Sequence, residues 1–465
     1  MASIIKRKKN YSVVYYYEDE NGEQRQKWET YGSHQEAVKR KAEVENQINT
    51  NTFTRPTNQT VSEFLNDFIS LYGKKIWSLS TYESNIGRIR NYINPFIGDV
   101  PIQKVMPKLV DQYYSKLKET KPVNKPNHPA KTEFLTDNII HEIHKLLKCA
   151  FTKAVKWEDV AKNPFFNVDL KKPVHKQRDI WTAENIKKAL NHCRSGKLYI
   201  AINLSFACSL REGEILGLTW DNVHISDKEI QADDAHVYVD KELCRFSKST
   251  LDILNEKDVL FTFPPVMSNT TTRIVLKKPK TDSSNRKVWL PKTVAYILRK
   301  WQSAQEELQG FLGDEYLDYN LVIALQNGRP CESRVLLKDF AALKKEANLP
   351  DVVFHSLRHS STTYKLKLNH GDLKATQGDT GHAQIDMITD VYAHILDEDR
   401  KINAQVFETA FYTNPDLRDA KPPEPEQNSV DLQSLIDQLQ QSPELASALA
   451  QLIQNHSISQ ANFSY

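Results

Sequence analysis

Cysteine is scarce in this 465-residue chain: Cys149, Cys193, Cys208, Cys244 and Cys331 are all there is, and no two fall at a paired spacing. That argues against a disulfide framework. The apolar helical surroundings of Cys149, Cys193 and Cys208 mark them as reduced core thiols. Long hydrophobic runs are also missing, none approaching the roughly 18 apolar residues of a membrane span. Met1 to Asn10 is basic, but polar strand-like sequence follows it where a secretory leader would have an apolar core. The expectation is a soluble, cytoplasmic protein with no membrane partner. Neither a Gly-rich phosphate loop nor an acidic two-metal cluster occurs, so ATP use and metal-dependent nuclease chemistry are not expected, and no cofactor or metal is implied. Charge of one sign is lacking too. Lys+Arg of 62 against Asp+Glu of 59 leaves +3, which alone says nothing about partners. The distribution says more: counting Lys+Arg against Asp+Glu, residues after Asn414 carry −5 and residues 61–180 carry +7. A basic stretch of that length suits a polyanion.

What is present concentrates between Val353 and Ile395. Phe354-His355-Ser356-Leu357-Arg358-His359 is followed by Thr380-Gly381-His382 and then by Val391-Tyr392-Ala393-His394. A guanidinium can hold two phosphate oxygens at once, and imidazoles can donate to the same oxygens as charge builds. A tyrosine phenol is a weak nucleophile unless such a cluster neutralises that charge. Upstream, Ser209-Leu210-Arg211-Glu212-Gly213-Glu214 places Arg211 just inside a helix, and Lys278-Pro279-Lys280-Thr281, followed by Asp282-Ser283-Ser284-Asn285-Arg286-Lys287, reads as a tight basic turn between two strands. His141 and His144 lie three apart on one helix, but without a third ligand they read as neighbours on a helix face.

The order Arg, Lys, His-x-x-Arg, His, Tyr resembles the tyrosine recombinase (phage integrase) family, in particular its Gram-positive phage and conjugative-transposon integrases. The resemblance covers roughly residues 1–410. It implies a multidomain fold: an N-terminal three-stranded β-sheet plus helix, an all-α four-helix core-binding domain, and a mainly α catalytic domain with a small antiparallel sheet. The chain divides accordingly into residues 1–55 (arm-type DNA-binding), 60–168 (core-binding), 169–180 (linker), 181–414 (catalytic) and 415–465 (linker and amphipathic tail). In the first part, strands run over Ile4–Lys9, Tyr11–Tyr17 and Gln24–Tyr31, with Asn21-Gly22 as a hairpin signal. Ser33 and Glu36 form a capping box for a helix from His34. The open face of this sheet, with Lys6, Arg7, Lys8, Lys9, Arg25 and Lys27 on its strands, is expected to enter a major groove. Helices are expected over Val61–Tyr72, over Thr81–Ile93 with Ser80 as cap, from Pro107 to Lys118, and over Thr136–Trp157. Lys171, Lys172 and Lys176 belong to an extended basic linker. Val237–Leu243, Thr272–Lys277 and Val288–Leu290 read as strands, whereas residues 245–269 have no assignment. Val430–Ile453 is amphipathic, and docking on a neighbouring copy and folding back remain equally open.

The resemblance also implies the roles. Tyr392 would attack the scissile phosphate, leaving a 3′-phosphotyrosyl link. Arg211 and Arg358 would clamp the non-bridging oxygens, His355 and His382 would donate to them, and Lys280 would protonate the departing 5′-oxygen. Glu214 would orient Arg211. Partners would be double-stranded attachment-site DNA and a homo-tetramer on it, exchanging strands through a Holliday junction, with room for an excision factor and a host DNA-bending protein. Two other functions share features: a type IB topoisomerase, which religates the same strands, and a non-catalytic architectural DNA-binding protein. The N-terminal module favours recombination over the first, and the filled set of six positions disfavours the second.

Overall fold

The β-branched and aromatic run along Tyr11–Tyr17 favours a strand and sets the first element group. In the computed structural model, β1 (Ser3–Arg7), β2 (Asn10–Glu18) and β3 (Gln24–Tyr31) form an antiparallel sheet in that order. The structure describes residues 2–18, 22–50, 53–54, 56–124, 130, 132–171, 179–280, 284–369 and 371–381. Val13 and Tyr15 turn to one face, where the His34–Asn49 helix buries them with Ala37 and Val44. Ser33 accepts from the Glu36 amide at 3.2 Å, one half of the expected capping box. Glu29 pins sheet to helix. It accepts from the Tyr15 and Tyr31 hydroxyls at 2.7 and 2.8 Å and from Arg40 Nε at 2.7 Å. Burial would raise its carboxyl pKa, but these donors, Arg40 first, hold it down at about 2.

The helical region follows. Thr60 and Glu63 complete a capping box at the start of Val61–Phe68, whose helix runs on through a wider π-type turn to Ile76. The next helix begins at Leu79, two residues earlier than expected. Its cap is Ser78, which accepts from the Thr81 amide, and not Ser80. Pro107–Lys118 and Asp137–Lys156 complete the set. Each presents one apolar face, and Phe64, Phe68, Tyr113, Leu147 and Phe151 fill the space between them.

Six further strands build two three-stranded sheets where the sequence suggested one. β4 (Val223–His224), β5 (His236–Val239) and β9 (Arg286–Trp289) form one, in the order β4-β5-β9. β6 (Glu242–Ser247), β7 (Val259–Thr262) and β8 (Thr272–Lys277) form the other, in the order β6-β8-β7. The expected strand over Val237–Leu243 is therefore two strands broken at Asp240-Lys241. Asn222 donates to Asp240 at 2.6 Å and Lys241 to Thr219 at 2.9 Å, which fixes the break where the chain changes sheet. Gly217 faces it. A Cβ there would meet the Leu243 nitrogen at 2.7 Å, so only glycine lets β6 approach.

The unassigned stretch 245–269 thus supplies the end of β6, the Lys248–Ile253 helix and β7. The second sheet is a wall shared by two cores. Leu243 and Leu276 point into the core built on Trp181, Leu204 and Leu298. Phe246 and Val275, with Leu251 and Leu254, point the other way and join the helical core of residues 61–165. Polar contacts reinforce the junction: the Ser247 amide donates to Glu83 at 2.8 Å, and Lys257 to the Lys75 carbonyl at 2.9 Å. The helical region is consequently completed by residues far outside 60–168.

Candidate active site

Arg211 is not inside a helix. It is the N-cap of Glu212–Leu216, with extended backbone. That position leaves its amide free to donate to Glu214 Oε2 at 2.9 Å, while its guanidinium donates to Glu214 Oε1 at 2.7 Å and to the Gly381 carbonyl at 2.9 Å. Ser209, at φ 56°, makes the turn that brings Arg211 there. Arg358 lies one turn into the His355–Leu368 helix and is 1% exposed. Its two terminal nitrogens donate to the Ser209 and Thr380 carbonyls. Burial, with Arg211 and then Arg286 adding repulsion, pushes its pKa down to about 9, so it remains charged at neutral pH. The two guanidiniums thus engage consecutive carbonyls, 380 and 381, immediately before His382. His355 opens the same helix, its ring edge-on to that of His359 at 4.8 Å.

Arg286 was read only as part of the basic turn, and the structure gives it a larger place. It is 7% exposed and donates to both Glu214 oxygens at 3.2 and 2.9 Å, to the Ser284 carbonyl at 3.0 Å and to the Asp379 carbonyl at 3.0 Å. A signal was available. Arg286 and Val288 share the inward face of β9 by simple alternation, and a buried charge is costly unless it is paired. Glu214, 2% exposed, therefore sits between two arginines. Burial works to raise its carboxyl, yet Arg286 above all, then Arg211, hold it at about 2.

Lys280 is exposed, just beyond β8. The turn after it is not a hairpin, because β8 pairs with β6 and β7 whereas β9 pairs with β5. The segment instead crosses from one sheet to the other. Two neighbouring lysines are engaged elsewhere: Lys277 with Glu242, and Lys287 with Asp234 at 2.9 Å. Tyr364, on the same helix as His355 and Arg358, accepts from the Ala183 amide at 2.9 Å and packs on Phe206. His382 and Tyr392 lie outside the described residues, as do Lys172, Lys176 and the tail 415–465. His141 and His144 have ordinary partners, the Lys171 carbonyl at 2.8 Å and the Tyr114 hydroxyl at 3.0 Å. Among the described residues no cluster of three or more His, Cys, Asp or Glu could hold a metal, and no helix is long and apolar enough to cross a membrane. A cavity of about 970 Å³ bordered by Cys193, Lys197, Trp301 and Asp339 includes none of Arg211, Arg286, His355 and Arg358.

In the N-terminal sheet the cations are arranged differently from expectation. Register pairs Lys27 with Tyr15, Arg25 with Tyr17 and Lys6 with Tyr11, so these three lie on the helix-covered side. Lys8 and Lys9 form the β1–β2 turn. Only Arg7 of the six is on the open face, 4.3 Å above the Trp28 ring. That face also carries Tyr16, Gln26 and Trp28, linked by Gln26→Tyr16 and Trp28→Gln26 hydrogen bonds of 3.1 Å.

Residues 180–399 match the family model described as phage integrase family, and residues 60–118 match the phage integrase, N-terminal SAM-like domain. The tyrosine recombinase XerC-like protein of Caldanaerobacter subterraneus is 25% identical over 397 residues, covering 83% of this chain and 92% of that protein. The ICEBs1 integrase of Bacillus subtilis is 24% identical over 323 residues, covering 69% and 75%. Among solved structures, the Tn1549 transposon integrase in complex with transposon right end DNA superposes with a TM-score of 0.57 at 20% identity, covering 76% of this chain and 99% of that one, a likeness of fold. Two models that together span more than half of the sequence, and relatives matched over most of their length, agree: the chain belongs to the phage integrase family, the tyrosine recombinases that break and rejoin DNA.

Proposed function

We propose that the chain integrates and excises a mobile element by site-specific recombination, with Tyr392 as nucleophile. Arg211 and Arg358 hold the non-bridging oxygens of the scissile phosphate, a task for which the planar guanidinium fork is suited and an ammonium is not. His355 and His382 donate to the same oxygens, and Lys280 protonates the departing 5′-oxygen. The observation that carries this reading is the attachment of both guanidiniums to the 380–381 carbonyls. It brings Arg211 and Arg358 together at the residue preceding His382. Their combined positive charge is what a pentavalent phosphate needs. The 3′-phosphotyrosyl bond retains the energy of the phosphodiester, so rejoining needs no cofactor.

The partner is double-stranded DNA held by two modules. The helical region and the catalytic region embrace the exchange site through phosphate contacts, to which Lys171, Lys172 and Lys176 of the linker contribute. The open sheet face binds a second, distal site, with Arg7 and Gln26 reading base edges and Lys8 and Lys9 meeting phosphates at its rim. Four copies exchange strands in turn through a four-way junction, with an excision factor and a host DNA-bending protein setting direction.

The test is covalent trapping in EDTA without ATP, using nicked duplexes from the ends of the host element. Wild type should give a protease-sensitive adduct on the 3′ side, and Tyr392→Phe should bind the same duplex and give none. An adduct on Tyr392→Phe moves the nucleophile elsewhere; binding without any wild-type adduct on a verified end sequence favours an architectural protein.

A further inference from the structure

We infer that Arg286 is a positioning residue for phosphate activation, acting through Glu214 on Arg211. The inference rests on the assignment of Arg211 to the phosphate.

Glu214 is buried and accepts four hydrogen bonds. Oε1 takes Arg211 and Arg286, and Oε2 takes the Arg211 amide and Arg286. Oε1 is therefore shared between two guanidiniums, and Oε2 between Arg286 and the Arg211 amide. Without Arg286 the carboxylate would keep one cation, Arg211, as its sole ionic partner. A buried carboxylate with one partner draws that partner strongly, because the low local dielectric magnifies the attraction. Arg211 would then serve as counter-ion to Glu214 and offer less charge to a phosphate. With Arg286 present the cluster of Arg211, Arg286 and Arg358 against Glu214 keeps a surplus of positive charge, and Arg211 retains a terminal nitrogen directed at Gly381.

Position supports this role. Arg286 begins β9, and its Nε holds the Asp379 carbonyl at the end of the Leu373–Thr380 helix. One guanidinium thus ties the segment that carries Arg211 and Glu214 to the end of the helix that carries Asp379. Gly381 is shaped to it. With φ at 61°, its absent Cβ would stand 3.0 Å from Arg286 Cδ and Nη1. A side chain at 381 would displace the guanidinium from Glu214.

The experiment compares single-turnover cleavage of a nicked core-site duplex by wild type, Arg286→Met, Glu214→Gln, and the double variant carrying both changes. DNA affinity and thermal unfolding are measured beside it. Arg286→Met should cleave ~10²-fold more slowly, the order of loss seen when one oxyanion donor is removed, with DNA affinity nearly unchanged. The double variant, in which no uncompensated carboxylate is left to claim Arg211, should regain ~10-fold of that rate. A 5′-phosphorothiolate substrate, whose leaving group needs no proton, should rescue Lys280→Ala and fail to rescue Arg286→Met. If Arg286→Met cleaves at the wild-type rate, or if the double variant is as slow as the single one, the inference is overturned. The double variant also covers the case in which Arg286→Met does not fold, since it removes the guanidinium and the carboxylate together. Arg211→Ala separates the two levels. If it cleaves normally, the assignment of Arg211 itself fails, whereas inactive Arg211→Ala beside normal Arg286→Met sinks only the role given to Arg286.

Discussion

Phe246→Ala is the most direct probe of the shared wall. Phe246 is 4% exposed on β6, with Leu251 and Leu254 beside it, and it belongs to the core of the helical region 61–165 although 80 or more residues separate it in sequence. Truncating a buried phenylalanine costs about 3–5 kcal/mol, from lost transfer energy and the cavity left behind. If the wall is common to both cores, that loss falls on the helical region as well as on the sheet. Even the lower figure, about 3 kcal/mol, raises opening of the affected unit ~10²-fold. Native-state hydrogen exchange reads this out. Amides from Ile140 to Ala154, far from residue 246 in sequence, should exchange about that much faster. The matched control is Phe263→Ala. Phe263 is 2% exposed but faces the other core, so its loss should leave Ile140–Ala154 protected and act on residues 180–381. Unchanged protection of Ile140–Ala154 in Phe246→Ala would refute the reasoning, because it would make the helical region independent of the sheet.

Two further outcomes follow from the site and the N-terminal sheet. Glu214 has a folded pKa of about 2 against an unfolded value of about 4.3, so its contribution, roughly 3 kcal/mol, is present in full above pH 4.3 and lost as pH falls toward 2. Urea midpoints should therefore show Glu214→Gln less stable than wild type at pH 6, with the gap closing near pH 2.5; a gap independent of pH would contradict the ion-pair account. Trp28→Ala and Gln26→Ala should each weaken binding to the distal site about tenfold or more, the scale of one base contact, and leave core-site cleavage intact. A mobility-shift titration decides it, and loss of core cleavage would mean that the sheet serves the active site directly.

Much of the site was legible in the sequence because its chemistry is dense in rare combinations. His355 and Arg358 fall one helical turn apart, Glu214 falls three residues after Arg211, and each spacing has a local geometric meaning on a helix or its cap. The N-terminal strands and the helices from Val61 onward were equally legible, since period-2 and period-3.6 apolar patterns are local properties of the chain. The helix start at Ser33 also followed from local capping chemistry, whereas Ser80 lost to Ser78 because two hydroxyls so close compete for one role.

Tertiary structure alone decided the rest. Strand pairing is non-local, so no pattern within Val237–Leu243 announces that the chain changes sheet at Asp240-Lys241, and none within 278–285 announces a crossover in place of a hairpin. The face of a strand that meets solvent depends on what covers the other, which is why Lys6, Arg25 and Lys27 fell on the helix side and the open face went to Arg7, Tyr16, Gln26 and Trp28. Burial converted Arg286 from one more cation in a basic turn into the partner of Glu214. The sequence by itself determined which groups the molecule has available for phosphate chemistry. Folding determined which of them meet, because a buried charge finds its counter-charge only when distant segments close around both.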